Sequence, residues 1–248
     1  TRNTLAPEVS LHHLVRRATY ADLTPSATIL AAAFHDDPVV SWLVPDERRR
    51  RRDLAGMLRV FAARFQPYGE NCVNETATGA ALWLPPGATF TPEDDARFDT
   101  ALAAAAGEDV ERVGQLGEVM DAAHPTDPHH YLMLLGVTPD HQGTGVGSSL
   151  LRAVLDIADA ADEPAYLEAT SPRNRALYER HGFEAGAHPH PGANRDQQHH
   201  EMFEEAVRFH VLAGRRRGDR IGHLPLRQRL EGAAGPCRHD GGMASEQE

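Results

Sequence analysis

The stretch from Tyr131 to Ala161 constrains this chain more than any other. Tyr131-Leu-Met-Leu-Leu-Gly-Val137 reads as a buried strand. The turn Thr138–Gln142 follows, then Gly143-Thr-Gly145-Val-Gly147, and an amphipathic run predicts a helix over Gly145–Ala161. Glycine reaches backbone angles that other residues resist, so successive N–H groups can converge on one anion. A helix opening at the same point adds the positive end of its dipole. Such a strand needs a sheet to sit in, and such a loop suits a pyrophosphate.

Rival readings of the loop can be weighed from its spacing. A Walker-type phosphate loop needs Gly-Lys-Ser/Thr, and the chain contains no Lys. The dinucleotide fingerprint Gly-x-Gly-x-x-Gly shares the order of strand, loop and helix, and Glu168 falls near its acidic position. Against it, Gly145-x-Gly147 is followed by Leu150, and the turn Thr138–Gln142 is longer than that motif's tight crossing. A glycine loop without a ligand is the bland alternative.

Upstream, Leu14–Thr19 alternates weakly and predicts a first strand. A helix is expected over Thr24–Phe34, with Thr24 as N-cap and Pro25 at the first helical position, ended by His35-Asp36-Asp37-Pro38. Leu54, Met57, Leu58, Phe61 and Phe65 recur at a helical period within Asp46–Phe65. Pro67-Tyr68-Gly69 breaks that run, and Asn71–Ala77 and Gly79–Leu84 read as strands. Thr91–Ala123 reads as a helical insert with Thr91 as N-cap and Gly107 dividing it. After the loop helix come a strand over Ala165–Ala169 and a helix over Arg173–His181, closed by Gly182. Phe34, Trp42 and Trp83 are core residues or the lining of an acceptor pocket.

Beyond about Ala185 the texture turns rich in His, Arg, Gln and Gly. The division expected is a domain over residues 1–187, with its helical insert at 91–123, and a C-terminal extension over 188–248 that is partly helical or loosely ordered. A helix over Glu201–Leu212, or a strand hidden near Phe203–Leu212, are the alternatives within that extension.

Composition excludes several classes. The 248 residues suffice for one substantial core. A formal net charge of −11 opposes nucleic-acid binding, which runs on positive charge. No run approaches the ~20 apolar residues of a membrane span, and no secretory pattern is present. Cys72 and Cys237 are too few and too far apart for a disulfide framework or zinc site, which suits a reducing, cytoplasmic setting. The paired histidines, among them His12-His13 and His199-His200, form no His-Glu-x-x-His, so no metal is expected. Arg48–Arg52 reads as a solvated helix face.

Gln142-x-x-Gly145-x-Gly147, preceded by Leu135-Gly-Val-Thr-Pro139, resembles the coenzyme A loop of the GNAT acetyltransferase superfamily. Tyr166-Leu-Glu-Ala-Thr170, Asn174 and Leu177-Tyr-Glu-Arg-His-Gly-Phe183 are similar to that superfamily's next motif. Within it, Val137-x-Pro139-Asp140-His141-Gln142-Gly143, Pro172-Arg173-Asn174 and Tyr178-Glu179-Arg180 are similar to the puromycin N-acetyltransferase group of actinobacterial enzymes. The likeness is strong over residues 130–184 and fainter back to about Leu14. It implies an α/β (α+β) fold: a mixed, mostly antiparallel central sheet flanked by helices, with a helical insert before the fourth strand.

The resemblance further implies an N-acetyltransferase that moves an acetyl group from acetyl-CoA to a primary amine of a small molecule, such as an aminonucleoside or other antibiotic. A protein or peptide amine is the alternative acceptor, and a non-catalytic acyl-CoA-binding regulator is the alternative from another class. No nucleic acid or membrane partner is expected, and a homodimer is allowed. Acetyl transfer needs a deprotonated amine, a donor for the developing oxyanion and a proton for the leaving thiolate. In the family picture, backbone groups of Leu135 and Val137 pair with the pantetheine arm. N–H groups of Gln142, Gly143, Thr144, Gly145, Val146, Gly147 and Ser148 hold the pyrophosphate. Asn174 contacts the pantetheine or phosphate arm, and Tyr178 stands near the sulfur as general acid. The strand before the loop carries no carboxylate, so Glu168 on the neighbouring strand is the candidate base, with a pKa raised by apolar surroundings. His124, His129 and His130 come next. The family's sheet ends in two more strands; Phe183–Ala187 is expected to begin the first, and the second is not evident.

Overall fold

Strand β4 (His130–Val137) is the axis of the sheet, and its neighbours are read from it. The computed structural model describes residues 13–184 and 210–213. Among these, β1 (Val15–Arg17), β2 (Cys72–Asn74), β3 (Gly79–Leu84), β4, β5 (Ala165–Glu168) and β6 (His210–Ala213) lie side by side in that order. Every neighbouring pair is antiparallel except β4 and β5. That parallel pair requires a crossover, which α6 (Val146–Ala161) supplies. The mixed, mostly antiparallel sheet and the insert before the fourth strand are as the resemblance implies. The insert comprises α4 (Pro92–Ala106) and α5 (Val110–Ala123), divided at Gly107.

Both faces of the sheet are covered. Along β3, Ala80 and Leu82 point to one side and Ala81 and Trp83 to the other, and all four are buried. Helices α1 (Leu23–Phe34) and α3 (Glu47–Phe65) cover the first face through Ala27, Leu30, Leu54, Leu58 and Phe65. Helix α6 covers the second with Val146, Leu150, Leu151, Val154 and Leu155, spaced to form one apolar stripe. Each such fully buried side chain contributes roughly 1.5–3 kcal/mol. The N-terminus of α6 is thereby pinned over the end of β4. Trp83 is plain core.

Several local expectations need correction. Helix α1 starts at Leu23 with Asp22 as N-cap, not at Thr24. A 3-10 turn at Tyr20–Asp22 precedes it, and Asp22 is held there by Thr19 and by Arg16 at 2.8 Å. A short helix, α2 (Pro38–Leu43), follows the break at Asp37, too brief to leave a periodic signature. The arginine run is only partly solvated. Arg49 reaches Asp109 of the insert at 2.9 Å, and buried Arg50 donates to the Val44 carbonyl at 2.6 Å. Residues 210–212 lie in β6, so the helix expected over Glu201–Leu212 does not reach them, and the alternative of a strand near Phe203–Leu212 fits there. Pairing with β5 satisfies an edge that would otherwise expose its N–H and C=O groups. Residues 201–209, the rest of the C-terminal extension and the expected strand beyond Glu184 lie outside the described residues. No helix among the described residues is long and apolar enough to cross a membrane.

Candidate active site

A bulge in β4 sets the geometry. Against β3, Leu132 faces Trp83 and Leu134 faces Leu82, leaving Met133 as the extra residue. Against β5, β4 pairs only over His130–Leu132. The two parallel strands then part, and β4 from Met133 onward is unpaired on that side. Thr138 N–H donates towards β3, to the Thr78 carbonyl at 2.9 Å. By alternation, Val137 and Leu135 turn their N–H and C=O groups to the open edge. His130 N–H points towards β5 at the other end, to the Pro164 carbonyl at 2.8 Å, so the bulge shifts the phase between the ends.

The glycine loop follows directly. Gly143 and Gly145 take left-handed angles, φ 79° and 96°. The first bond into α6 runs from Ser149 N–H to the Gly145 carbonyl at 3.0 Å. Among the described residues, the N–H groups from Gly143 to Ser148 meet no acceptor. Gln142 differs: its N–H bonds the Pro139 carbonyl at 3.2 Å. Its side chain donates to the Val137 carbonyl and accepts from Arg173, each at 3.2 Å. His13 braces the loop from outside, with Nε2 2.8 Å from the Thr144 carbonyl. Successive orphan donors at a helix N-terminus, with an arginine alongside, fit the pyrophosphate of coenzyme A.

Helix α7 (Pro172–Arg180) supplies the opposite wall. Ser171 caps it by accepting from Asn174 N–H at 3.2 Å, and Pro172 opens it. Between α7, the loop and the open edge of β4 lies a groove of about 320 Å³. Every residue expected to hold the cofactor lines it except Thr144 and Val146, whose side chain is in the core. Tyr178 lines it too, and burial, with the charge of Asp37, raises its phenol well above the ordinary value. The hydroxyl therefore stays protonated.

Sequence reasoning missed Asp37. It lines the groove from the α1–α2 corner, together with Phe34. Its Oδ1 accepts from Val39 and Val40 N–H at 2.9 and 3.3 Å, and its Oδ2 accepts from Thr170 at 2.6 Å. Asn174 Nδ2 donates to the same threonine at 3.4 Å. Burial raises the Asp37 carboxyl, and these bonds oppose the rise. The signal in the sequence is Asp-Pro, an N-cap followed by a first-turn proline, which doubles as the end of α1.

Glu168 stands apart from the groove, at the end of β5. It faces Tyr131, Tyr166 and Asp121. Burial pushes its carboxyl up to about 7, although the two phenols stabilise the charged form. Tyr131 also donates to Met133 Sδ at 3.0 Å, and Tyr166 Oη and Glu168 Oε1 meet no partner at hydrogen-bond geometry. His124 and His129 sit over the same tyrosines, with His124 4.6 Å from the Tyr131 ring and 5.0 Å from that of Tyr166.

His130 belongs elsewhere. Its ring is buried between Glu70 (3.0 Å from Nδ1) and Glu163 (2.9 Å from Nε2). Burial lowers its pKa, but the two carboxylates outweigh that and raise it overall. A histidine with both nitrogens engaged by carboxylates is a poor proton acceptor, so His130 drops out as a base. Among the described residues, no three His, Cys, Asp or Glu side chains converge as metal ligands would.

A parted pair of parallel strands, an orphan-donor loop and a protonated phenol in one groove define an acyl-CoA-dependent transferase. Residues 9–183 match the model of the acetyltransferase (GNAT) family, and the chain belongs to that family. Its donor is accordingly acetyl-CoA, and it is an acetyltransferase. The chain is similar, at 28% identity and a TM-score of 0.51, to a Corynebacterium glutamicum structure described as histone acetyltransferase HPA2 and related acetyltransferase. That match covers 73% of this chain and 91% of the other. Arylalkylamine N-acetyltransferase 2 from Aedes aegypti is 13% identical over 69% of this chain and 82% of its own, with a TM-score of 0.48. Polyamine N-acetyltransferase from Drosophila melanogaster is 17% identical over the same shares, with a TM-score of 0.40.

Proposed function

We propose that this enzyme acetylates the primary amine of a small molecule, with aminonucleosides and other amine-bearing antibiotics as the first acceptors to try. The observation that carries this is the enclosure on the acceptor side. Helix α2 and insert helix α5 pack together through Val39, Trp42, Leu116 and Val119, which leaves little room for a folded protein. The motifs similar to the puromycin N-acetyltransferase group support the antibiotic reading.

Bound acetyl-CoA supplies an activated acyl group, and this chain's residues do the rest. Orphan N–H groups of Gly143–Ser148 hold the pyrophosphate, with Gln142 and Arg173 beside it. The open edge of β4 at Leu135 and Val137 aligns the pantetheine arm, and Asn174 steadies it. Glu168 accepts, through water, the proton that the amine loses. Tyr178 donates a hydrogen bond to the departing thiolate. A phenol with a raised pKa stabilises that thiolate without giving its proton up completely.

Thiol release with acetyl-CoA and a panel including puromycin, simple arylamines and a lysine peptide tests the reading. Acetylation of small amines is expected, and Tyr178→Phe should lower kcat by about 10²-fold with little change in the KM for acetyl-CoA. The C. glutamicum relative and the net charge of −11 favour a basic protein acceptor as the second reading. Turnover of the peptide alone would select it.

A further inference from the structure

A buried histidine at the end of α7 reaches the first turn of α6. His181 closes α7, and its N–H donates to the Tyr178 carbonyl at 2.8 Å. Gly182 then takes a left-handed angle, φ 85°, and Phe183 N–H returns to the same carbonyl at 3.1 Å before its ring enters the core. The turn that carries His181 is therefore fixed from both sides. Leu177, one turn earlier, packs on the glycine loop: a Cβ added at Gly147 would lie 3.6 Å from Leu177 Cδ2. Beside that contact, His181 Nε2 stands 3.0 Å from Ser148 Oγ. Ser148 is the third residue of α6 and lines the groove; His181 does not line it.

A helical serine often turns its hydroxyl back to the carbonyl four residues before it, as Ser149 does to Gly145 at 3.4 Å. Ser148 instead pairs with His181, while His13 bonds the Thr144 carbonyl at 2.8 Å. The direction of the Ser148–His181 bond decides what the groove meets. A serine hydroxyl has one proton and two lone pairs. If Nε2 accepts that proton, lone pairs alone face the groove, and they repel a phosphate oxygen. If Nε2–H donates, the Ser148 proton is free to donate in turn. The orphan N–H groups from Gly143 to Ser148 already suit an anion, so the second arrangement matches its surroundings. Each donor in such a chain strengthens the next.

We propose that His181 is a positioning residue for coenzyme A: as an Nε2–H donor it holds Ser148 so that the hydroxyl proton is presented to the phosphates. This rests on the reading above that the groove holds the cofactor. Ser148 is the group that touches the ligand, and His181 acts through it. An imidazole suits the place because its ring is rigid and buried, so little freedom is lost when the bond forms.

Calorimetric titration of the full chain with coenzyme A tests this. Ser148→Ala should weaken binding about 10-fold, through loss of one charge-assisted hydrogen bond. His181→Gln and His181→Asn both introduce a neutral amide and differ in reach. The Gln amide extends to the place of Nε2 and should bind within about 3-fold of the wild type, whereas the shorter Asn should lose about 10-fold. His181→Leu, which keeps the burial and removes the donor, should match Asn and takes its place if the Asn variant does not fold. In the Ser148→Ala background, His181→Asn or His181→Leu should change affinity by less than about 2-fold, because the group through which His181 acts is gone. Losses that add in the double variant mean that His181 acts on the fold at large, and they overturn the inference. Wild-type affinity in Ser148→Ala or in His181→Asn overturns it too, as does a Gln variant as weak as Asn. Binding by the wild type separates the two readings. If coenzyme A binds and the variants depart from this pattern, the inference alone fails; if it does not bind, the cofactor reading falls as well.

Discussion

The hydroxyl of Thr170 donates to Asp37 Oδ2 at 2.6 Å, joining the corner after β5 to the N-terminus of α2. These residues are 133 positions apart, and one of them, Asp37, lines the groove. Asp37 thus has two tasks: capping α2 and placing a negative charge near Tyr178. The substitutions separate them. Asp37→Asn keeps a capping oxygen and should cost little stability, whereas Asp37→Ala should lose about 1–2 kcal/mol. Urea unfolding of both variants checks this; equal losses would mean that the cap contributes nothing.

Glu168 should be a liability to the fold. Its folded pKa of about 7 lies above the ordinary carboxylate value of 4.5. A raised carboxyl contributes stability that is present below pH 4.5 and lost as pH rises through 7. Glu168→Gln should therefore be more stable than the wild type at pH 8, by on the order of 2 kcal/mol, and should lose the advantage near pH 4.5. A variant less stable than wild type at pH 8 would contradict a carboxylate whose charged form is disfavoured by burial.

The His130 cluster has the same sign from the opposite charge. Its folded pKa is raised, so its contribution is complete below the ordinary value of 6.5 and is lost as pH rises through the folded value. His130→Gln leaves buried Glu70 without its cation, while half-exposed Glu163 is screened by solvent, and should cost about 1–3 kcal/mol at pH 6, with a smaller deficit at pH 9. Denaturant midpoints at the two pH values decide it. The cluster joins the start of β4 to the segments before β2 and β5, so tightened hydrogen exchange there should also weaken.

Gly136 is where α1 meets β4. A Cβ there would lie 2.9 Å from Ala33 Cβ and Leu30 Cδ2, and 3.4 Å from the Leu30 backbone. Gly136→Ala must push α1 outward and should cost about 1–3 kcal/mol. It should also raise the KM for acetyl-CoA, because Phe34 at the end of α1 and Asp37 in the corner that follows line the groove.

Gly145→Ala tests the loop itself. A side chain at φ 96° is strained, and its Cβ would come within 3.1 Å of His13 Nε2. The fold should persist, while stabilisation by acetyl-CoA, read by thermal shift, falls to a small fraction of the wild-type value.

The donor half of the site was legible because its chemistry is local. The orphan N–H groups and the left-handed glycines arise within a few residues of one another, so spacing alone exposes them. Helices α3, α4 and α6 were legible for the same reason, through caps and period. Helix α2 was not, since six residues hold less than two turns of pattern. Asp37 looked like a breaker because its partner, Thr170, is remote in sequence. His130 looked like a candidate base because nothing local announces Glu70 and Glu163.

The sequence by itself determined that a strand, a glycine loop and a helix would make an anion cradle, because backbone donors and helix dipoles depend only on neighbouring residues. Tertiary structure alone decided which edge of β4 stays open, since a bulge at Met133 and the early end of the β4–β5 pairing set that phase. It also decided that Glu168 would lie buried beside Tyr131 and Tyr166. Charge states and enclosures depend on which distant segments meet, and that is settled only when the sheet and its covering helices pack together.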